Sequence, residues 1–169
     1  LQDALGTCNL PLAEIVYQLR KDPNIYGSKI SGSGLGDCVL ALGTTNTVNG
    51  SNSIASGYNN KVLSGFSLSI GDGNIDDNSA VHSFNFGTVN EMYDQYSFNF
   101  GYGNKNNSAY SFNFGYANEN NAVQSYLFGS INKNGGDYAL VFGYHNTIAS
   151  ASKNSAAIGY NNTVNAANS

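Results

Sequence analysis

The chain has 169 residues, enough for one domain, with a net charge of -4 and only 11% charged residues. This charge excludes the basic footprint of a nucleic-acid-binding surface, and no apolar run approaches the ~20 residues of a membrane-spanning helix. Asparagine occurs 27 times, but 41% of residues are hydrophobic and recur in register, which argues against a disordered chain.

Residues 1–38 carry no clear repeat and are predicted to form an N-terminal cap. Pro11 suits the first turn of a short helix, and Pro23 would end it. Four apolar residues between them follow the spacing of one helix face: Leu12, Ile15, Val16 and Leu19. A helix of this length is marginal alone, so we expect it to cover the open end of a repeat array.

Two cysteines, Cys8 and Cys38, stand at the edges of this segment. They are either joined in a disulfide, which would suit an oxidising compartment, or are two unrelated thiols. Their position at the two ends of one segment favours the disulfide. The chain starts with neither an initiator Met nor a signal-peptide pattern, so we expect it to be a piece of a longer protein.

From residue 39 to residue 169 one glycine recurs at intervals of 14 residues, twice lengthened to 16. The members of this glycine column are Gly43, Gly57, Gly71, Gly87, Gly101, Gly115, Gly129, Gly143 and Gly159. Three residues after each glycine stands an asparagine: Asn46, Asn60, Asn74, Asn90, Asn104, Asn118, Asn132, Asn146 and Asn162. A fixed period of this kind predicts a solenoid of about nine coils, with stacked asparagines at a corner and a glycine turn without space for a Cβ.

The residues before each glycine alternate, as in Ser97-Phe98-Asn99-Phe100-Gly101. This period of two predicts a β-strand with its large residues on one face. We expect that face, which includes Phe100 and Phe114, to be the interior of the coil. In four successive coils the residue after the column asparagine is charged, with alternating sign: Glu91, Lys105, Glu119 and Lys133. This alternation predicts parallel, in-register stacking.

The stretch 154–164 reads NSAAIGYNNTV, and Ser-Phe-Asn-Phe-Gly recurs in the same frame in the middle coils. Over residues 39–165 the pattern resembles the head repeat of trimeric autotransporter adhesins, the YadA-like head, which has a 14-residue period. The chain departs from that pattern in its cysteine pair, in its many Phe residues and in the Asn two before Gly.

The resemblance implies a left-handed parallel β-roll, assembled as a homotrimer on the surface of a Gram-negative bacterium. It implies a stalk and a C-terminal outer-membrane anchor outside this sequence. The implied function is adhesion to a host protein, either a cell-adhesion receptor such as a CEACAM or an extracellular-matrix protein such as collagen. It implies no enzyme activity and no cofactor.

Trimerisation is also expected from the residues themselves. A coil of 14 residues encloses a thin core, and the small residues two and four before each glycine would make one outer strand face smooth, with Leu127 and Val141 adding apolar area. Packing three copies on that face would bury it.

A tyrosine follows the glycine in five coils, at Tyr58, Tyr102, Tyr116, Tyr144 and Tyr160. A solvent-facing tyrosine column would suit protein recognition, and the alternative is that these rings cover the turn and stack on each other. The two longer repeats predict surface loops around 76–81 and 149–153.

Two other functions are weighed against adhesion. A β-helix acyltransferase would use a six-residue period and a catalytic His, whereas His82 and His145 stand at different positions of 14-residue coils. An ice-binding protein would need a flat Ser/Thr array, and the recurring serine four before Gly is expected on the packing face. Asp72, Asp76 and Asp77 form an acidic cluster, which we expect to be a solvated turn and not a metal site.

Overall fold

A computed structural model describes residues 39–169 together with Tyr17, Gln18 and Lys21. Tyr17 and Gln18 are helical, and the Lys21 ammonium lies 4.0 Å from the centre of the Tyr17 ring. The rest of the predicted cap, with Cys8, Cys38 and their pairing, lies outside the described residues. No helix in the described part of the chain is long and apolar enough to cross a membrane.

The described residues form an all-β parallel solenoid in which every coil contributes one longer and one two-residue strand. The longer strands are β1 (Val39–Thr44), β3 (Ser53–Tyr58), β5 (Leu68–Asp72), β7 (Phe84–Thr88), β9 (Phe98–Tyr102), β11 (Phe112–Tyr116), β13 (Tyr126–Ser130), β15 (Leu140–Tyr144) and β17 (Ala156–Tyr160). The short strands are β2 (Thr47–Val48), β4 (Lys61–Val62), β6 (Ile75–Asp76), β8 (Glu91–Met92), β10 (Lys105–Asn106), β12 (Glu119–Asn120), β14 (Lys133–Asn134), β16 (Thr147–Ile148) and β18 (Thr163–Val164).

The strands stack into two nine-stranded sheets, called here the long-strand sheet and the short-strand sheet. Every neighbouring pair is parallel, and glycine stands opposite glycine, as Gly101 does opposite Gly115. The predicted solenoid of about nine coils is therefore confirmed. At ~4.8 Å per strand the stack rises ~43 Å.

The glycine column is required by both backbone conformation and space. Gly101 has a φ of +125°, and a Cβ built on it would lie 1.9 Å from the carbonyl oxygen of Gly115 in the next coil. Side chains are therefore excluded because each glycine contacts the backbone of the coil stacked on it.

The asparagine column ties each coil to its neighbours. Asn104 Nδ2 donates to the Gly115 carbonyl oxygen at 2.8 Å, while Asn104 Oδ1 accepts from the backbone N–H and the side-chain amide of Asn118 at 3.1 and 3.0 Å. The same pattern repeats along the column, as at Asn74 and Asn132. The predicted stacking of corner amides on each other and on the turn backbone is confirmed.

The interior of the coil takes the small and polar residues, not the large ones. The position two before the glycine is buried in every coil after the first, with Asn99 and Leu127 both fully inaccessible, while Phe100 and Phe114 remain 46% and 44% exposed. The prediction that the Phe columns line the core is therefore wrong. The physical reason is volume: the space between two sheets joined by such short turns has no room for a row of phenylalanine rings.

The serines four before the glycine also face inward. Ser67 Oγ donates to the Ala80 carbonyl oxygen at 2.9 Å, and the Ser67 N–H donates to Ser53 Oγ at 3.0 Å. Small apolar clusters fill the two ends of the stack, one around Val48 and Val62 and the other around Val141. The middle coils have a polar interior instead.

The alternating charges on the short-strand sheet pair as predicted. Lys105 Nζ lies 3.4 Å from a Glu91 carboxyl oxygen, and Lys133 Nζ lies 3.1 Å from a Glu119 carboxyl oxygen. Each pair is well exposed, so it contributes at most ~1 kcal/mol and mainly favours the in-register arrangement.

Candidate interaction surface

The outward face of the long-strand sheet exposes large apolar side chains in every coil. Two rows form it, one three residues before each glycine and the other one residue before. We call this the outer apolar face; its large members are Leu40, Ile54, Leu68, Phe84, Phe98, Phe112, Tyr126 and Leu140 in the first row, and Leu42, Ile70, Phe86, Phe100, Phe114, Phe128, Phe142 and Ile158 in the second. Ser56 and Ala156 are the small residues within it.

The rings of the outer apolar face are ordered by the strand spacing. The Phe98 and Phe112 rings stack at 4.7 Å between centroids, and the Phe100 and Phe114 rings stack at 4.9 Å. Neighbouring rings toward the ends tilt, as Phe128 and Phe142 do at 6.3 Å. The phenylalanine rings of the two rows therefore form a continuous surface, in which rings of neighbouring coils contact each other.

The outer apolar face is large and uncharged. No Asp, Glu, Lys or Arg stands at any of its positions. Phe142 and Ile158 are 57% and 65% exposed, and several other members are about 40% exposed. With 150–250 Å² per large side chain, the exposed apolar area is on the order of 1,000 Å². That exceeds the few hundred Å² that soluble monomers commonly leave in contact with water.

The face that we predicted for subunit packing is a different one and is not on the surface. Leu127 and Val141, expected to add area to a smooth outer face, are fully buried inside the coil. The recurring serines lie inside as well, so they cannot form the exposed array that ice binding would need. Both errors follow from assigning the alternating residues of the strand to the wrong sides.

The predicted tyrosine column lies at the carboxyl ends of the long strands. Tyr58, Tyr102, Tyr116, Tyr144 and Tyr160 are exposed. Tyr102 stacks on Tyr116 at 5.4 Å and Tyr144 stacks on Tyr160 at 5.6 Å. All five rings are thus solvent-facing and two pairs of them stack, while a role of the column in protein recognition stays a prediction.

A second aromatic column was missed by the sequence reasoning. Phe66, His82, Tyr96 and Tyr110 stand five residues before successive column glycines and stack at 4.8, 5.0 and 5.1 Å. All four have φ near +55° and are exposed. The signal was present as a recurring aromatic at one position, but Gln124 interrupts it before Tyr138.

The histidines are placed in turns and do not share a site. His82 belongs to the stacked column just described. His145 lies four coils further along the stack, in an exposed turn where its Nδ1 is 2.9 Å from Asn161 Oδ1. Among the described residues no group of three His, Cys, Asp or Glu side chains could hold a metal ion.

The acidic cluster does not form a solvated turn. Asp72 is exposed and Asp77 half-buried, but Asp76 is fully buried within β6. It faces the interior because strand alternation turns the second residue of each short strand inward. In the two predicted loops, the exposed residues are Asn78 and Ser79 within 76–81, and Ser150, Ala151 and Lys153 within 149–153.

Comparison with known proteins gives one family match. The model for the C-terminal domain of GHMP kinases matches residues 1–49, which end just after β2. This is less than half of the chain, so the match does not establish family membership. Searches among curated proteins and among solved structures find no match.

The family comparison contradicts the resemblance to trimeric autotransporter adhesins. The matching model is that of a kinase family and not of an adhesin head, so the predicted adhesin function, with binding to a host receptor or matrix protein, is not supported. The match to an enzyme family also conflicts with the expectation of no enzyme activity, although it covers only part of a solenoid chain. The physical reason for the error is that a 14-residue period with glycine and asparagine columns is a packing requirement of the coil, and it predicts an architecture without predicting a family.

Proposed function

We propose that this chain is a structural module whose copies associate through the outer apolar face into a homotrimeric rod. The single observation that carries the proposal is an uncharged face on the order of 1,000 Å² that runs the length of the solenoid. In a trimer the face is divided between two neighbours, so each pair of copies would bury about 1,000 Å² in total, which is near the lower limit for a specific interface.

A further copy of the same chain is the partner that fits this face best. The rings are spaced by the strand repeat of ~4.8 Å, and only a surface with the same spacing can place one side chain against each ring along ~43 Å. Another copy has that spacing. It also has no charge at any position of the face, so no buried unpaired charge results.

The copies are proposed to run parallel, around an axis along the solenoid. The face changes along its length, from aliphatic residues in the first coils, such as Leu40 and Ile54, to phenylalanine in the middle coils and Ala156 at the end. A parallel arrangement places each coil beside its own counterpart and so brings rings against rings. In a trimer, the first row of each copy would pack against the second row of its neighbour.

The test is the mass of the protein in solution, with and without a charge in the face. Light scattering at micromolar concentration is expected to give the trimer mass for the native chain. Phe100→Glu places a carboxylate in the middle of the face and is expected to give monomers, because three buried like charges are strongly unfavourable.

The matched control is Tyr110→Glu, which alters an equally exposed aromatic residue that belongs to a turn and to neither row of the face. It is expected to stay trimeric. Far-ultraviolet circular dichroism verifies that both variants keep their strands. A native chain that is monomeric at these concentrations would overturn the proposal, and a native dimer would overturn the threefold arrangement.

A further inference from the structure

One carboxyl group lies inside the coil, at a position where the other coils have neutral residues. Asp76 is the second residue of β6 and is fully buried. The equivalent residues of the other coils are Val48, Val62, Met92, Asn106, Asn120, Asn134, Ile148 and Val164. An ionised carboxylate there would carry the large cost of burying an unpaired charge.

The partner of Asp76 is the side chain of Asn85, which is also fully buried. Asn85 Nδ2 donates to Asp76 Oδ1 at 2.5 Å and to the Ile75 carbonyl oxygen at 3.1 Å. The other oxygen of each group, Asp76 Oδ2 and Asn85 Oδ1, is buried without a hydrogen-bond partner. Two acceptors of one contacting pair thus lack a donor, and each costs ~1–3 kcal/mol.

We propose that the folded coil binds a proton on Asp76 Oδ2 and closes a cyclic carboxyl–amide pair with Asn85. The Asp76 hydroxyl donates to Asn85 Oδ1 while Asn85 Nδ2 donates to Asp76 Oδ1. A single proton, taken from solvent and bound without any other bond breaking, provides the donor that both orphaned oxygens need and removes the buried charge.

A metal cation is the competing ligand for these oxygens, and the surroundings do not suit it. The neighbours of Asp76 on the adjoining short strands are Val62 and Met92, both fully buried and without oxygen in their side chains. Hard cations take six or more oxygen ligands. Ser69 Oγ and Asn99 Oδ1, on the two strands next to Asn85, are the other unpartnered buried oxygens here, and the four together leave such a shell incomplete.

The charged groups on the neighbouring elements lie away from the coil interior. They are Lys61 on β4, Glu91 on β8, Asp72 on β5 and Asp77 next along the chain; each is exposed or half-buried, and β7 carries none. Burial raises the pKa of Asp76 from 3.8 to about 7, and the hydrogen bond from Asn85 opposes this rise only in part.

The sign of the pH dependence follows from this raised pKa. The folded chain holds the Asp76 proton up to about pH 7, whereas the unfolded chain releases it near 3.8. The stabilisation by the proton is therefore complete below the unfolded pKa and is lost as the pH rises through the folded pKa. Hydrogen bonds from Asn121 and Lys153 lower the pKa values of the Glu119 and Asp137 carboxyls, whose stabilisation follows the opposite course, so the effect of Asp76 must be read against a variant.

The variant is Asp76→Asn, in which the new amide can make the same two hydrogen bonds without titrating. We expect the melting temperature of Asp76→Asn to match the native chain at pH 4 and to exceed it by on the order of 10 °C at pH 8. Asp77→Asn, which changes the neighbouring half-buried carboxyl, is the matched control and should reproduce the native pH profile.

A direct measurement on the native chain keeps the test independent of any variant's folding. Carbon-13 NMR of the Asp76 carboxyl is expected to show a protonated group at pH 6 and a midpoint near 7. A carboxyl already ionised at pH 5.5 would overturn the proposal, as would an equal melting-temperature difference at pH 4 and pH 8. So would a rise in melting temperature with calcium or sodium that Asp76→Asn abolishes, since that would identify a cation site.

Discussion

Gly101→Ala is expected to destabilise the solenoid by about 4 kcal/mol or more. The new Cβ would lie 1.9 Å from the Gly115 carbonyl oxygen, which belongs to the backbone of the next coil and cannot rotate away. The φ of +125° at this position adds strain for any residue with a side chain. Denaturant unfolding at a fixed protein concentration measures the loss.

Gly103→Ala is the matched control, two residues further along the same turn. Gly103 has a φ of +64°, and nothing lies within 4 Å of a Cβ built on it. Ala117 already occupies the equivalent position in the next coil with a φ of 51°. The cost at Gly103 should be limited to the about 1–2 kcal/mol of the left-handed backbone conformation. Equal costs at the two glycines would show that contact between coils does not select the column.

Asn104→Ala is expected to cost about 3–5 kcal/mol. The change removes the donor to the Gly115 carbonyl oxygen and the acceptor for the backbone N–H of Asn118, both of which stay buried in the corner. It also removes the side-chain bonds to Asn90 and Asn118, so two contacts between coils are weakened at once. Thermal and denaturant unfolding both report the change.

Two further variants make this second prediction specific. Asn104→Asp keeps the size and the acceptor but lacks the donor, and it should also be destabilised because a carboxylate would face the Gly115 carbonyl. Asn121→Ala removes an exposed asparagine that bonds to Asn107 and Glu119, and its cost should remain below about 1 kcal/mol. A loss below that level for Asn104→Ala would contradict the structural role of the column.

The two columns could be recognised from the sequence because each is required by the backbone. No residue other than glycine fits where Gly101 lies against Gly115, and asparagine provides both a donor and an acceptor at the corner near Asn104. Both requirements recur in every coil, so they leave a period in the sequence. The charges at Glu91 and Lys105 follow the same logic, since they lie on adjacent strands.

The outward and inward faces could not be assigned in the same way. A period of two shows that Phe98 and Phe100 share one side and Asn99 has the other, but it leaves open which side is buried. Because large apolar residues are commonly buried, their hydrophobicity favoured the wrong face as the interior of the coil. The proposed assembly would bury the rings between copies instead, a surface that a single chain's sequence does not identify.

The sequence by itself therefore determined the repeat, the parallel stacking and the identity of the residues at each turn, because these depend on contacts repeated every 14 residues. Only the tertiary structure decided which side of each strand faces in, that Asp76 is enclosed next to Asn85, and that the phenylalanines form an outer surface. Those outcomes depend on the distance between the two sheets. All the turns of a coil fix that distance jointly, so no local sequence pattern predicts it.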